Sequence, residues 1–161
     1  ADRYEAPAPA KKFQGWMQEV RIGGDKIILL KPATFMNESG RSIRAAMDFY
    51  KLTPEDVTVF YDELDLAPFK IKVKRGGGAA GHNGIRSTID HIGADFRRIR
   101  LGIGHPGHKD RVTGYVLGPF SKSEIDPLAD MLGAISAEAD WLAKGDDARF
   151  MSEVALRLHE D

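Results

Sequence analysis

Three carboxylates occur within four residues in the segment Asp62-Glu63-Leu64-Asp65. They directly follow a short apolar run, residues 57–61, which is typical of a strand buried on both faces. Carboxylates crowded at a strand end repel one another, so at least one should have a shifted pKa or a cationic partner. The segment is therefore a candidate for acid–base chemistry. A solvated turn is the plain alternative, and a divalent-metal site is a weaker one.

Two asparagines stand next to patterns that predict helices. Asn37 precedes a helical pattern, and Asn83 lies near the end of a glycine-rich stretch from Gly76 to Gly84. Glycine lets the backbone adopt positive φ and come close to a ligand, and a following helix offers free N–H groups to an anion. Each asparagine could instead be only a helix cap, and His82 only a surface side chain. The stretch is not a Walker A loop, because no Gly-Lys-Ser/Thr ends it.

Positive charge is concentrated in one part of a nearly neutral chain. The 161 residues include 23 Lys and Arg against 24 Asp and Glu, for a formal net charge of −1. Residues 70–111 contain ten Lys or Arg and three acidic residues, so the formal net charge of that segment is +7 and that of the remainder is −8. Such an asymmetry gives one face a field that attracts polyanions such as nucleic acid. Solvated strand faces would also produce it.

The composition excludes several classes of protein. The sequence has no cysteine, so disulfide frameworks, thiolate nucleophiles and cysteine-ligated zinc are ruled out. No apolar run approaches the ~20 residues that a membrane-spanning helix needs. Residues 1–6 lack the basic and apolar regions of a signal peptide. We therefore expect a protein with no membrane partner, and the lack of cysteine fits a reducing compartment.

The elements that must position these side chains alternate between strands and helices. Strict alternation at residues 69–74 and 98–103 puts Lys70, Lys72 and Lys74 on one polar face, and Arg98 and Arg100 on another. This interleaving favours an α/β fold: a single three-layer domain over residues 1–161, with a mixed, mostly parallel twisted sheet flanked by helices. The other predicted elements are a hairpin across Gly23-Gly24, helices at 39–52 and 85–92, a long helix between the Ser121–Glu124 capping box and Gly145, and a last helix after Asp146.

Four segments of the sequence form a distinctive pattern in their order and spacing: Phe35 to Gly40, Asp62 to Asp65, Gly76 to Gly84, and Gly102 to Pro106. This pattern resembles that of bacterial peptidyl-tRNA hydrolase, and the resemblance covers the greater part of the chain, from about residue 13 to about residue 158. It implies hydrolysis of the ester bond between peptide and tRNA, which releases tRNA for reuse in translation. It also implies a monomeric cytoplasmic enzyme without metal or cofactor, whose partner is peptidyl-tRNA through its acceptor stem and 3′ end.

The resemblance further implies roles for single residues. In the family a histidine is the general base, and Asp62 matches the aspartate that holds it in its basic form. Asn37 and Asn83 match amides that hold the peptide backbone, the tRNA end or the attacking water. Lys74 and Arg100 match a clamp on the tRNA 5′-phosphate. The full set of implied tRNA-binding residues is Phe35, Met36, Asn37, Lys72, Lys74, Asn83, Arg100 and Lys109.

The chain departs from the family pattern in one respect. The family begins with a strand, a Gly-Asn-Pro-Gly-type turn and an Arg-His-Asn segment that carries the catalytic histidine, and residues 1–161 contain none of these. None of the five histidines matches that position. We expect the natural protein to be longer at its N-terminus, and the sheet to have an apolar gap. The alternative functions are a non-catalytic RNA-binding protein on the same scaffold and, less favoured, a metal-dependent hydrolase that uses Asp62, Asp65 and nearby histidines.

Overall fold

The computed structural model describes residues 1–159, apart from the side chain of residue 113. It divides the chain into two compact units. Unit 1 comprises residues 1–59 and 74–98, and unit 2 comprises residues 60–73 and the chain from residue 99 onward. The single domain over residues 1–161 stays a prediction, and its last two residues lie outside the described part.

The first sheet is an antiparallel one with the order β1-β2-β3. Its strands are β1 (Ala10–Lys12), β2 (Gly15–Ile22) and β3 (Asp25–Pro32). The β2–β3 turn consists of Gly23 and Gly24, with φ of 60° and 87°. A two-residue hairpin with positive φ at both positions matches the twist of its strands, and glycine adopts it without strain. The predicted hairpin is confirmed.

The second sheet has the strand order β4-β6-β5. Its strands are β4 (Thr58–Glu63), β5 (Ile71–Arg75) and β6 (Arg97–Gly102). The predicted alternation in β5 is confirmed, since Ile71 and Val73 are half-buried while Lys72 and Lys74 are exposed. The prediction that the strand at residues 57–61 is buried on both faces is wrong. Phe60 is 46% exposed, because β4 lies at the edge of this sheet.

Six helices complete the described chain, and they confirm the α/β class. The strands form two sheets of three rather than the one sheet that was expected. The long helix expected before Gly145 is divided into two, because the backbone leaves helical geometry at Glu138. The helices are α1 (Ser39–Phe49), α2 (Asn83–Ile92), α3 (Val112–Leu117), α4 (Lys122–Ala137), α5 (Ala139–Ala143) and α6 (Asp147–His159).

Unit 2 has its own apolar core, in which β6 residues pack on the C-terminal helices. Helix α4 buries only some of its apolar side chains. Ile125 and Leu132 are each 51% exposed, whereas Met131 and Ala134 are buried. The predicted capping box of Ser121 and Glu124 at the start of this helix is confirmed. The buried core residues are Ile99, Ala134, Leu142, Phe150 and Val154.

Unit 1 is held together by a close approach of α1 and α2. The Gly40 N–H donates to Ser87 Oγ at 2.9 Å. A Cβ on Gly40 would lie only 2.2 Å from the Ser87 carbonyl oxygen, so a larger residue cannot fit without moving a helix. The glycine thus fixes the segment that immediately follows Asn37.

Candidate active site

Asn37 lies on an exposed turn between β3 and α1 in unit 1. The turn is a 3₁₀ helix over Met36–Glu38, and Phe35 before it is 83% exposed. Glu38 occupies the N-cap position of α1 without a side-chain cap bond, so the alternative that Asn37 caps this helix is wrong. Within residues 1–159 the Asn37 amide makes no hydrogen bond and is exposed. Its donor and acceptor are therefore open to a ligand.

Asn83 is the first residue of α2, and His82 is the cap. The His82 Nδ1 atom accepts a hydrogen bond from the Ile85 N–H at 3.1 Å. His82 thus has a structural role, and the alternative that Asn83 caps the helix is wrong. Asn83 is exposed, and its side chain has no hydrogen bond in the described part of the chain.

The two asparagine-bearing segments touch each other inside unit 1. A Cβ on Gly84 would lie 3.1 Å from the Met36 Cγ atom, so Gly84 lets the 3₁₀ turn rest against the start of α2. Asn37 follows Met36, and Asn83 precedes Gly84. These are the only two asparagines in the sequence. The fold therefore brings both of them onto adjacent, exposed turns.

The glycine-rich stretch before α2 is held by a buried arginine. We use the name first glycine loop for residues 76–81. Arg98 on β6 is 1% exposed, and its guanidinium donates to the carbonyl oxygens of Gly78 at 2.5 Å and Gly77 at 2.7 Å. Alternation along the strand predicts that Arg98 shares an exposed polar face with Arg100. That assignment is wrong, because the loop folds back over the face and covers the side chain.

Lys74 is a second cation beside this loop. A Cβ on Gly77 would lie 2.7 Å from Lys74 Nζ, so the ammonium rests on the loop backbone. Lys74 is exposed, and in the described residues it has no acidic partner. The ammonium is thus free to pair with an external anion.

Asp62 lies in unit 2, on a turn that is bound to a second glycine loop, residues 102–107. The Ile103 N–H donates to the Glu63 carbonyl at 3.1 Å, and the Gly104 N–H donates to that of Leu66 at 2.9 Å. Asp62 itself is half-buried near the end of β4. These backbone bonds fix the carboxylate-bearing turn without using its side chains.

The crowded carboxylates have a cationic partner, as predicted. Glu63 is buried, and its Oε1 lies 4.0 Å from Arg100 Nη1. Arg100 is half-buried, so part of its charge is already used inside unit 2. Lys72 and Lys109 are exposed, and no acidic partner for either is found within residues 1–159.

Three histidines have a tautomer that does not suit a general base. In His82, His105 and His108 the Nδ1 atom accepts a hydrogen bond from a backbone N–H. A neutral imidazole that accepts at Nδ1 carries its proton on Nε2, which then donates rather than accepts. In the described part of the chain, no group of three or more potential metal ligands is found. Nor does any helix of that part combine the length and apolar character of a membrane span.

Solved structures define the class to which this fold belongs. The structure of peptidyl-tRNA hydrolase from Acinetobacter baumannii matches with a TM-score of 0.85 and 40% identity, over 96% of this chain and 79% of that one. This likeness puts the chain in a class of hydrolases with a mixed α/β fold that act on peptidyl-tRNA.

Sequence comparisons identify the family. The family described as peptidyl-tRNA hydrolase matches residues 1–160. The peptidyl-tRNA hydrolase of Sphingopyxis alaskensis is 75% identical over 158 residues, which are 98% of this chain and 84% of that protein. The peptidyl-tRNA hydrolase of Erythrobacter litoralis is 80% identical over 148 residues, which are 92% of this chain and 78% of that protein. The chain belongs to the peptidyl-tRNA hydrolase family, and it is an ester hydrolase that acts on peptidyl-tRNA.

Proposed function

We propose that hydrolysis of peptidyl-tRNA by this chain uses Asn37 and Asn83 at the reacting ester, and Asp62 to orient a general-base histidine. The observation that carries the proposal is the pair of exposed, uncommitted amides on two touching turns of unit 1. Hydrogen-bond donors directed at the developing oxyanion, or at the attacking water, stabilise the transition state of acyl transfer. Two amides at adjacent turns suit that purpose, and phosphate binding alone would not need them.

Asp62 acts through the imidazole in this proposal. Its carboxylate accepts the Nδ1 proton, so Nε2 is left free to take a proton from water, and the carboxylate stabilises the imidazolium that forms. The backbone bonds between residues 63–66 and the second glycine loop support the proposal, since they keep the carboxylate-bearing turn in place. The water attacks the ester carbonyl carbon, the bond to the ribose oxygen breaks, and the imidazolium gives its proton to that oxygen.

The remaining residues are proposed to hold the tRNA. Phe35 and Met36 offer exposed apolar surface on which the terminal adenosine can stack. Lys72, Lys74 and Lys109 meet phosphates of the acceptor stem, and Arg100 contributes the part of its charge that Glu63 does not neutralise. An interface made mainly with phosphates weakens steeply as salt is raised. We further propose that the protein works as a monomer in the cytoplasm.

The two asparagines provide the test of the proposal. Asn37→Asp and Asn83→Asp keep the shape of the amide but remove its N–H donors. Each should lower kcat for an N-blocked aminoacyl-tRNA by roughly 10²-fold, and the Ala variants should lower it equally. The melting temperature should not change, because neither side chain has a bond within residues 1–159. Unchanged turnover in both Asp variants would show that the amides do not donate to the reacting atoms.

A further inference from the structure

Helix α3 is joined to the second glycine loop through the side chain of Tyr115. The Tyr115 hydroxyl donates a hydrogen bond to the carbonyl oxygen of Ile103. Gly104 follows Ile103 and permits this approach, because a Cβ on it would already touch the hydroxyl oxygen at 3.4 Å. Residues 112 and 114–117 of α3 are half-buried or exposed, and Leu117 is 77% exposed. The hydroxyl therefore fastens a helix that buries none of the side chains described in it.

The peptide group that joins Ile103 to Gly104 is hydrogen-bonded on both sides. Its carbonyl accepts from Tyr115, and its N–H donates to the Leu66 carbonyl at 2.9 Å. In a trans peptide the C=O and the N–H point in opposite directions, so the two partners lie on opposite sides of the group. A hydrogen bond to the carbonyl oxygen polarises the peptide group and strengthens the donation by its N–H. The Tyr115 hydroxyl thus stabilises a bond that it does not itself make.

The turn that this peptide group binds begins directly after Asp62. The Ile103 N–H donates at 3.1 Å to the carbonyl of Glu63, the residue that follows Asp62. Ile103 and Gly104 therefore bind the main chain at both ends of residues 63–66. A shift of the loop would move the main chain next to the Asp62 carboxylate, and a displacement of about 1 Å in a catalytic group can lower a rate by as much as roughly 10²-fold.

We propose that Tyr115 is a positioning residue for Asp62 that acts through Ile103 and Gly104. The tyrosine contacts neither the ester nor the imidazole, and it holds the loop to which the Asp62 turn is bonded. The inference rests on the proposed function in that it takes Asp62 to orient the general-base histidine. It extends that function by giving α3 a role in catalysis, although this helix lies outside the four segments that carry the sequence resemblance.

Amide hydrogen exchange tests the connection without any turnover. Tyr115→Phe removes the hydroxyl and keeps the ring, so the Ile103 and Gly104 amides should exchange about threefold faster than in the wild-type protein. The amide of Val154, in the core of unit 2, is the internal control and should exchange at the same rate in both proteins. Equal exchange at Ile103 and Gly104 in the two proteins would overturn the proposal.

A double-mutant cycle tests whether the tyrosine acts through Asp62. We expect Tyr115→Phe to lower kcat for N-blocked aminoacyl-tRNA about threefold, with KM within about twofold, because the hydroxyl bonds to the loop and not to the tRNA. In protein that already carries Asp62→Asn, the same substitution should leave kcat unchanged, because the carboxylate that it positions is gone. An equal loss in both backgrounds would show a merely structural role and would overturn the proposal.

Tyr50→Phe is the matched control, since it removes a tyrosine hydroxyl in unit 1 that donates to Glu19 Oε1 at 3.4 Å. It should change neither kcat nor the exchange of the second glycine loop, and a loss equal to that of Tyr115→Phe would contradict the proposal. A wild-type kcat in Asp62→Asn would refute the proposed function of Asp62 and the role of Tyr115 with it. A low kcat in Asp62→Asn, together with a wild-type kcat in Tyr115→Phe, would refute the role of Tyr115 alone.

Discussion

The two glycine loops differ in what holds them and in what they leave free. The first, residues 76–81 in unit 1, is held by the Arg98 side chain through its carbonyls, and its N–H groups at Gly78 and Ala79 have no partner in the described chain. The second, residues 102–107 in unit 2, is held by backbone bonds to residues 63–70. In the second loop the N–H groups of residues 102–104 are donated to neighbouring carbonyls and are not open to a ligand.

This difference shows that glycine serves two purposes in the same chain. In the second loop it allows close packing, since a Cβ on Gly102 would lie 2.0 Å from the Ala67 carbonyl oxygen. The loop is also secured by the Tyr115 hydroxyl, which donates to the Ile103 carbonyl. In the first loop the glycines leave the N–H groups of Gly78 and Ala79 without a partner in the described chain. A glycine-rich sequence therefore predicts a binding loop only where its N–H groups are unpaired.

The largest expected effect is that of Asp62→Asn, because the proposed mechanism needs this carboxylate to orient the histidine, and the second loop is bonded to the turn that carries it. An asparagine can orient the imidazole in the wrong tautomer, so kcat should fall by roughly 10³-fold. KM and tRNA affinity should change little, since the carboxylate does not contact phosphate. Hydrolysis of N-blocked aminoacyl-tRNA and a filter-binding assay measure the two quantities. Asp65→Asn, an exposed carboxylate of the same turn, is the control. Equal losses in both variants would mean that general turn structure is responsible.

An intermediate effect is expected from placing the same methyl group in each loop. Gly102→Ala must push against the backbone of Ala67, so its free energy of unfolding should fall by about 1–3 kcal/mol. Gly78→Ala meets open space and should change stability by less than about 0.5 kcal/mol. Urea unfolding monitored by circular dichroism gives both values. The comparison of the loops would fail if Gly78→Ala were the more destabilising of the two.

The smallest expected effect lies outside both loops, at the cap of α4. The Glu124 carboxylate accepts hydrogen bonds from the Ser121 backbone N–H and, with a smaller effect, from the Ser121 hydroxyl. These bonds lower the pKa of Glu124 from the ordinary value of 4.5. Because the pKa is lower in the folded state, the stabilisation is present above pH 4.5 and is lost as the pH falls through the folded-state pKa.

Glu124→Gln provides the measurement, since a glutamine can still cap the helix but does not titrate there. The urea midpoint of the wild-type protein should exceed that of the variant at pH 7, and the gap should narrow below pH 4.5. A gap that stays constant with pH would show that the carboxylate charge does not contribute. The difference in urea midpoint between these two proteins also gives the size of a local effect on stability, with which the effects of the two glycine substitutions can be compared.

Local features of the fold were predictable from the sequence. The Gly23-Gly24 hairpin and the Ser121–Glu124 capping box depend on a few adjacent residues, and both are confirmed. The burial of the strand at residues 57–61 was not predictable, because an apolar run does not show whether a strand has a neighbour on one side or on both. Its edge position leaves Phe60 exposed.

The residues of the candidate site were predictable from the sequence, but the structural role and the burial of each residue were not. Motifs give Asn37, Asp62 and Asn83, and the structure adds that neither amide is a cap. Arg98 was missed because strand alternation gives the face of a side chain, not whether that face meets water or a loop. Only the tertiary structure shows that residues 76–81 cover it. Arg98 lies two residues after Phe96, so an alternating strand puts the two side chains on one face, and this is the one local signal that could have indicated burial.

Phe35 holds most of its ring in water before any substrate arrives, with 83% of the residue exposed. A tRNA end that covers this ring releases the hydration of an apolar surface. Burial of apolar surface on binding lowers the heat capacity of the complex relative to its parts. The enthalpy of substrate binding should therefore become more negative as the temperature rises. Covering this one side chain thus contributes a negative heat-capacity change to binding of the tRNA end.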